Sequence, residues 1–306
     1  MVPIDPALAI LGDRASPDSY AHVREELGLD RPLPVQFGRY LGSVARLDFG
    51  RSVLTRNLVT DDIGRFFPAT IELATAATSI GVLLGIPAGV WAAARRGRIA
   101  DQVLRVLALF GYSVPVFWLG MMALVIFYAD LGWAPGPGRI DTAFEDFVPR
   151  ATGFIAVDAW LAGDWRALGD ALAHLVLPAL VLGYFAFAYV SRLVRAFMLQ
   201  ELNQEYIVAA RATGLRERRI LWVHAFRNIR APLVTIVALT YASLLEGSVL
   251  TETVFSWPGI GQYITNSLLS IDMNAVLGGT LVVGIVFIAL NLLADIVGRR
   301  LSPRAR

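Results

Sequence analysis

Five stretches of this chain are predominantly apolar over the length that a bilayer-crossing helix requires: Thr70–Ala94, Leu104–Ala129, Leu172–Ala196, Leu233–Leu250 and Ala275–Val297. The hydrocarbon layer is about 30 Å thick and a helix rises about 1.5 Å per residue, so roughly 20 apolar residues span it. No water is available there to satisfy the backbone, and an unbroken apolar run meets that demand as a helix. The expected fold class is all-α, a polytopic membrane helical bundle. A mean hydropathy of +0.58 over 306 residues, 56% of them hydrophobic, agrees. Gly81, Gly85, Pro87, Gly111, Pro115, Gly120 and Pro178 interrupt the runs. They read as sites of close helix packing, with backbone groups freed by proline satisfied by neighbours, in preference to gating hinges.

The ionisable residues exclude several chemistries. All 27 basic residues are arginine. Without lysine there is no P-loop and no Schiff base. Without cysteine there is no disulfide, thiolate nucleophile or thiolate metal site. His22, His174 and His224 are too scattered for a metal centre. No metal, no cofactor, no catalytic residue and no nucleic-acid partner are expected.

Arginine placement orients the bundle. Arg95, Arg96, Arg98 and Arg105 follow the first run, the segment 200–232 follows the third, and "GRRLSPRAR" follows the fifth, so all three are expected in the cytoplasm. The loop 131–170 carries Asp141, Glu145, Asp146, Asp158, Asp164 and Asp170 against Arg139, Arg150 and Arg166, and is expected outside. Residues 1–69 then also fall outside, as an external scoop segment. Within them Ser16 and Pro17 read as a helix start, and "PVQFGRYLGSVARL" as an amphipathic surface helix. Nothing in residues 1–69 would carry them across the membrane, so a further upstream span is expected.

Several single polar residues lie in or near the spans. Glu72 reads as a carboxylate favouring the N-terminal dipole of the first span. Glu246 lies inside the fourth run; it is either a pathway residue facing a cationic solute or peptide amine, or a hydrogen-bonded packing residue near the outer interface. Asn291 and Asp295, one turn apart, suggest interhelical polar packing. Trp257, Pro258 and Gly259 read as an external turn with an interfacial aromatic, or part of a docking face. His174 reads as an interfacial hydrogen-bonding residue, and Phe110, Phe117 and Trp118 as packing.

The stretch "EYIVAARATGLRERRILWVHAFRNIRAP", residues 205–232, is the least membrane-like part of the apolar half. It carries Arg211, Arg216, Arg218, Arg219, Arg227 and Arg230 between two spans. Gln204–Thr213 is predicted to form a short helix with Ala209, Ala210 and Ala212 along it. Gly214 tolerates positive φ and ends it, and helical spacing resumes to Pro232. Small residues at the tip permit close approach by another protein, and the arginines can meet acidic residues there. A solvated loop would not need so long an ordered-looking connection.

This stretch resembles the coupling-loop signature of binding-protein-dependent ABC importers, Glu-Ala-Ala-x3-Gly followed by Ile-x-Leu-Pro. Val208, Ala209, Ala210 and Gly214 match its first half with valine for glutamate. His224, Ala225, Phe226 and Arg227 occupy the second with arginine for proline. "DPALAILG", "LGLDRPLPVQFGRYL", "DFGRSV", "FPATIELA", "SVPVFWLG", "HLVLPAL", "ETVFSWPGIGQ" and "SPRAR" are similar, in order, to the B-type permease subunit of the dipeptide/oligopeptide/nickel branch. That family opens with one more span before "DPA", and this sequence starts where that span would end.

The resemblance implies a type I ABC importer transmembrane domain over 70–306. Its implied partners are a second permease subunit, two cytoplasmic ATPase subunits, an extracellular or periplasmic substrate-binding protein and the lipid bilayer. Ala209, Ala210, Arg211, Gly214, Leu215, Arg218 and Arg219 would form the ATPase-coupling surface. A secondary transporter or channel would instead show paired midplane charges or inverted repeats. An intramembrane enzyme would show a nucleophile–base or metal constellation. Neither pattern is present in the sequence.

Overall fold

The computed structural model describes residues 16–27, 30–145 and 147–301. "DPALAILG", Asp146 and "SPRAR" lie outside these residues. Fourteen helices are labelled here in chain order: α1 Pro17–Leu27, α2 Leu33–Val44, α3 Val59–Ala94, α4 Ile99–Ser113, α5 Val116–Ala123, α6 Thr142–Glu145, α7 Ile155–Leu161, α8 Trp165–Leu202, α9 Glu205–Ala212, α10 Glu217–Arg219, α11 Phe226–Gly247, α12 Val249–Val254, α13 Ile260–Leu269 and α14 Met273–Leu301. Two π-helical segments, Leu124–Asp130 and Ile220–Ala225, extend α5 and lead into α11. Among the described residues the only β pairing is an isolated bridge between Arg51 and Leu58. The protein is all-α. Among the described residues four helical stretches are long and apolar enough to cross a membrane, five if one bent pair counts as a single span.

That bent pair is the second apolar run. It folds as α4 and α5 with its π-helical extension, bent by 99°. Val114 and Pro115 stand at the corner with extended ψ of 126° and 131°. The cause is local: a residue before proline is pushed out of the helical region. The first run differs at its start. Helix α3 begins at Val59, well before Thr70, and carries Pro68 and Pro87 in its interior. Its charged first turn is anchored: Asp62 is buried and accepts from Thr55, Asn57 and Tyr263.

Glu72 is therefore inside α3, far from its N-terminus, and the dipole role is replaced by a cross-link. Arg139 donates to Glu72 Oε2 through Nη2 at 2.6 Å and Nε at 2.9 Å, and to the Gly153 carbonyl at 2.9 Å. The Ala156 amide donates to Glu72 Oε1 at 3.2 Å. This pair fastens the loop 131–164 to α3. Asp164 caps α8, accepting from the amides of Arg166 and Ala167.

The bundle is built on α3 against α8. Gly81, Gly85 and Gly89 repeat every four residues and so share a face. A Cβ at Gly81 would sit 2.4 Å from the Ala186 Cβ, and one at Gly89 2.7 Å from the Ser191 carbonyl. The small residues have a packing role, as expected: the two backbones nearly touch. At the end bearing the arginines, Asp101 of α4 is buried and takes both the Nε and Nη2 groups of Arg195 on α8, the latter at 2.8 Å. Phe110, Phe117 and Trp118, read as packing residues, are substantially exposed on α4 and α5.

Candidate functional site

Between α8 and α11 the chain leaves the bundle and returns, and this excursion holds the predicted coupling residues. Helix α9 is short because its end is specified. Thr213 caps it, Gly214 adopts φ +79°, and the amides of Gly214 and Leu215 donate to the carbonyls of Arg211 and Ala210 at 3.0 and 3.2 Å. That is the paired bonding of a Schellman turn. Nothing lies within 4 Å of a Cβ built on Gly214, so the glycine serves backbone conformation alone.

One side of α9 is nailed down. Ile207 is fully buried in a cluster with Val90 of α3, Val194 and Met198 of α8, Ile220 and Ile229, and Ala210 and Leu215 pack against the same cluster. A polar triad adds a second fixing. Tyr206 Oη donates to Glu201 Oε2 at 2.6 Å, and Asn228 Nδ2 donates to Tyr206 Oη at 2.9 Å and to Glu201 at 3.2 Å. The triad joins the end of α8, α9 and the start of α11. Burial, with the Glu201 carboxylate adding, pushes the Tyr206 phenol up to about 12, so it stays a donor in the cell.

The other side is open. Val208, Ala209, Arg211, Gly214, Arg218 and Arg219 are exposed, while Ala210 and Leu215 are half-buried. Arg211 is paired with Glu217 at 2.7 Å. A groove of about 620 Å³ runs beside this surface, lined by Gly214, Leu215, Arg216, Arg218, Arg219, Trp222 and Val223. The structure thus brings the seven predicted coupling residues together on one excursion. Glu246 is apart from them, exposed in the last turn of α11.

Residues 85–306 match the family described as "Binding-protein-dependent transport system inner membrane component", and residues 1–74 match the description "Binding-prot-dependent transport system membrane comp, N-term". The chain belongs to this family. It is 41% identical to the probable D,D-dipeptide transport system permease protein DdpB of Escherichia coli over 99% of this chain and 89% of that one. It is 40% identical to the dipeptide transport system permease protein DppB of the same species, over 100% of this chain and 91% of that one. The di/tripeptide transport system permease protein DppB of Pseudomonas aeruginosa is 39% identical, with 100% and 91% covered. The fold is similar to a chain of the inward-facing MetNI methionine ABC transporter, with a TM-score of 0.56, 16% identity, and 76% of this chain and 93% of that chain covered. The protein is a multi-pass inner-membrane permease, a transport subunit.

The permease holds a second polar centre that the sequence reading did not assign. Glu252 of α12 is fully buried. Its Oε1 accepts from Thr70 Oγ1 at 2.7 Å and Ser248 Oγ at 2.8 Å, and its Oε2 from the Gln262 amide at 2.9 Å. Burial pushes its pKa up; the hydrogen bonds from Thr70, Gln262, Ser248 and Gly261 pull the other way. Trp257, expected at an interface or docking face, is instead wholly buried, with Nε1 donating to the Ala69 carbonyl at 2.9 Å. A Cβ at Gly259 would lie 2.4 Å from the Glu252 carboxyl carbon, and one at Gly261 2.9 Å from its Oε2. The "ETVFSWPGIGQ" stretch is thus a plug that locks the turn between α11 and α14 onto α3. Its only sequence signal was the pair of glycines following a lone acid. His174, also buried, bonds the Asp170 carbonyl at 2.9 Å and sits 3.3 Å from its carboxylate.

Proposed function

We propose that this permease forms half of the translocation pathway of an ATP-driven, binding-protein-dependent importer of peptides or related small solutes, and that α9 is the element through which separate ATPase subunits drive it. One observation carries the coupling reading: α9 is fixed to α3, α8 and α11 on one side and bare on the other. A push on the bare side, at Val208, Ala209, Gly214 and the arginines Arg218 and Arg219, has nowhere to dissipate. Ile207 and the Tyr206 triad pass it to the ends of α8 and α11 together. ATP binding then favours one of two packed arrangements of the bundle, inward-open or outward-open, by differential contact with α9. The peptide assignment follows the named cargo of the relatives at about 40% identity. The partners in this reading are a second permease, two cytoplasmic ATPase subunits and an external binding protein.

Glu246 retains its pathway role as a proposal: its carboxylate is exposed at the end of α11 remote from the coupling helix, where it can meet the ammonium of an incoming peptide. The test of the whole reading is reconstitution. The permease, purified in mild detergent with its operon partners, should bring ATPase subunits with it and support peptide uptake that requires ATP. Uptake that persists without ATP, or a crosslink survey in which α9 meets no ATPase at any stage of the cycle, refutes it.

A further inference from the structure

The exposed faces of the bundle differ in polarity. On α14 the outward residues include Ile285, Ile288 and Leu292, and on α4 Val106 and Leu109, surfaces suited to acyl chains. On α3 between Phe66 and Val82 the exposed positions are Thr75 and Ser79, one helical turn apart and therefore on one face, with the apolar Leu83 and Leu84 exposed in the turn that follows. Thr75 Oγ1 is 3.1 Å from the Tyr241 hydroxyl of α11, which brings a third hydroxyl beside this face. Among the described residues the Ser79 hydroxyl has no hydrogen-bond partner. Counted from Arg95 at 1.5 Å per residue, Ser79 lies about 24 Å and Thr75 about 30 Å from the cytoplasmic end of α3, in the outer part of a hydrocarbon layer of roughly 30 Å. Hydroxyls there are costly against lipid and are at home against water or a polar solute.

We propose that Thr75, Ser79 and Tyr241 line the hydrated route of the solute, and that their hydroxyls stand in for water on the amide groups of a passing peptide. A hydroxyl both donates and accepts, so it serves N–H and C=O groups alike without regard to side chain. No charged side chain belongs to this cluster. The three residues are therefore a sequence-tolerant part of the route, and any preference for a cationic end belongs elsewhere. The inference rests on the importer reading.

The sequence of this permease contains no cysteine, so each reporter stands alone within it, and the unsubstituted transporter gives the labelling background of the other subunits. Ser79→Cys, Thr75→Cys and, as the lipid-facing control, Ile288→Cys are made in the full transporter and exposed to a charged, membrane-impermeant methanethiosulfonate. The pathway positions should react at least ten-fold faster than Ile288→Cys, a dipeptide should slow their reaction, and modification should lower uptake. Ser79→Cys and Thr75→Cys as inert as Ile288→Cys would place these hydroxyls in a dry interface and overturn the proposal; so would fast labelling that leaves uptake untouched. Labelling rates are read without ATP, and uptake by the unsubstituted transporter is measured beside them. Failure of the importer reading thus shows in the parent, and failure of this inference only in the variants. Tyr241→Phe keeps the ring and removes the hydroxyl; a several-fold rise in KM for a dipeptide with unchanged ATP hydrolysis is expected.

Discussion

Replacing Glu252 tests the plug by removing its centre while leaving every span intact. The carboxylate accepts from two hydroxyls and from the Gln262 amide, with Gly261 contributing, in a site with no solvent exposure. In Glu252→Ala the backbone amides keep their place and lose their acceptor. An orphaned buried donor costs about 1–3 kcal/mol, the two hydroxyls can partly turn elsewhere, and a small cavity adds to the loss. The expected destabilisation is roughly 3–5 kcal/mol. Glu252→Gln should cost about 1 kcal/mol, because its oxygen can face the amides while its nitrogen donates to Ser248. The pH dependence separates the wild type from both variants, neither of which titrates at this position. Burial raises the folded-state pKa, so between the unfolded value of about 4.3 and the raised one the native state binds the extra proton. Stability contributed by this site is full below the unfolded value and falls as pH rises through that window. Glu252→Gln and Glu252→Ala should both flatten this slope. Thermal unfolding in detergent micelles, followed by tryptophan emission, reads all three effects because Trp257 lies in the same plug. If alanine and glutamine variants unfold together at the wild-type temperature, the buried cage is not what holds the turn to α3.

The remaining predictions are local. Gly81→Ala drives a methyl to 2.4 Å from Ala186; overpacking of about 1–3 kcal/mol should appear as reduced yield of folded protein in gel filtration, and a neutral result would mean that α3 and α8 can separate freely. Ser256 ends α12 at φ +49°, with the Trp257 amide donating to the Glu252 carbonyl at 2.8 Å. Ser256→Gly should therefore raise stability by about 1 kcal/mol, measured by thermal unfolding, and a loss would contradict the turn geometry. Gly214→Ala has open space but the same left-handed backbone, so it should weaken the end of α9 by roughly 1 kcal/mol and lower uptake per ATP hydrolysed, with the bundle itself unaffected. Glu246→Gln should reduce uptake of peptides with a free amine; unchanged transport removes that residue from the pathway.

What could be read from the sequence follows the range of the interactions. The helical class, the positions of most apolar runs and the glycine stop at Gly214 depend on neighbours a few residues away, and length, periodicity and one backbone preference carry them. The break at Pro115 is equally local: the unbroken apolar run predicts a single span, but a residue before proline is pushed out of the helical region, so Val114 is extended and ends α4. The start of α3 was hidden by its own charges: Asp61, Asp62 and Arg65 look like a loop until Thr55, Asn57 and Tyr263 are seen around Asp62. The plug was beyond reach altogether. Glu252 meets Thr70 across 182 positions of chain, and Trp257 meets Ala69 across 188. A lone acid or tryptophan beside a Pro-Gly turn gives no sign of such a partner, and its ordinary reading is a solvated or interfacial one.

Under the coupling role proposed for α9, these long-range locks are what would let so short a lever act on so large a bundle. With Gly81 and Gly89 closing α3 on α8, the Glu252 plug holding the outer end of α3 to the turn after α11, and Arg195 clasping Asp101 near the arginine-bearing end of α8, no single helix can slide without its neighbours. Packed interiors of this kind are bistable and not continuously deformable. Displacement entering through Ile207 and the Tyr206 triad must then appear as rotation of the whole group, and the open hydroxyl face of α3 turns with it. If the locks were loose, the same push would be absorbed by bending in α11, whose Pro232 is the weakest point near the lever. A spin-label pair between α9 and the outer end of α3 distinguishes the two: rigid rotation keeps its distance distribution narrow in both states of the cycle, whereas absorption in α11 broadens it.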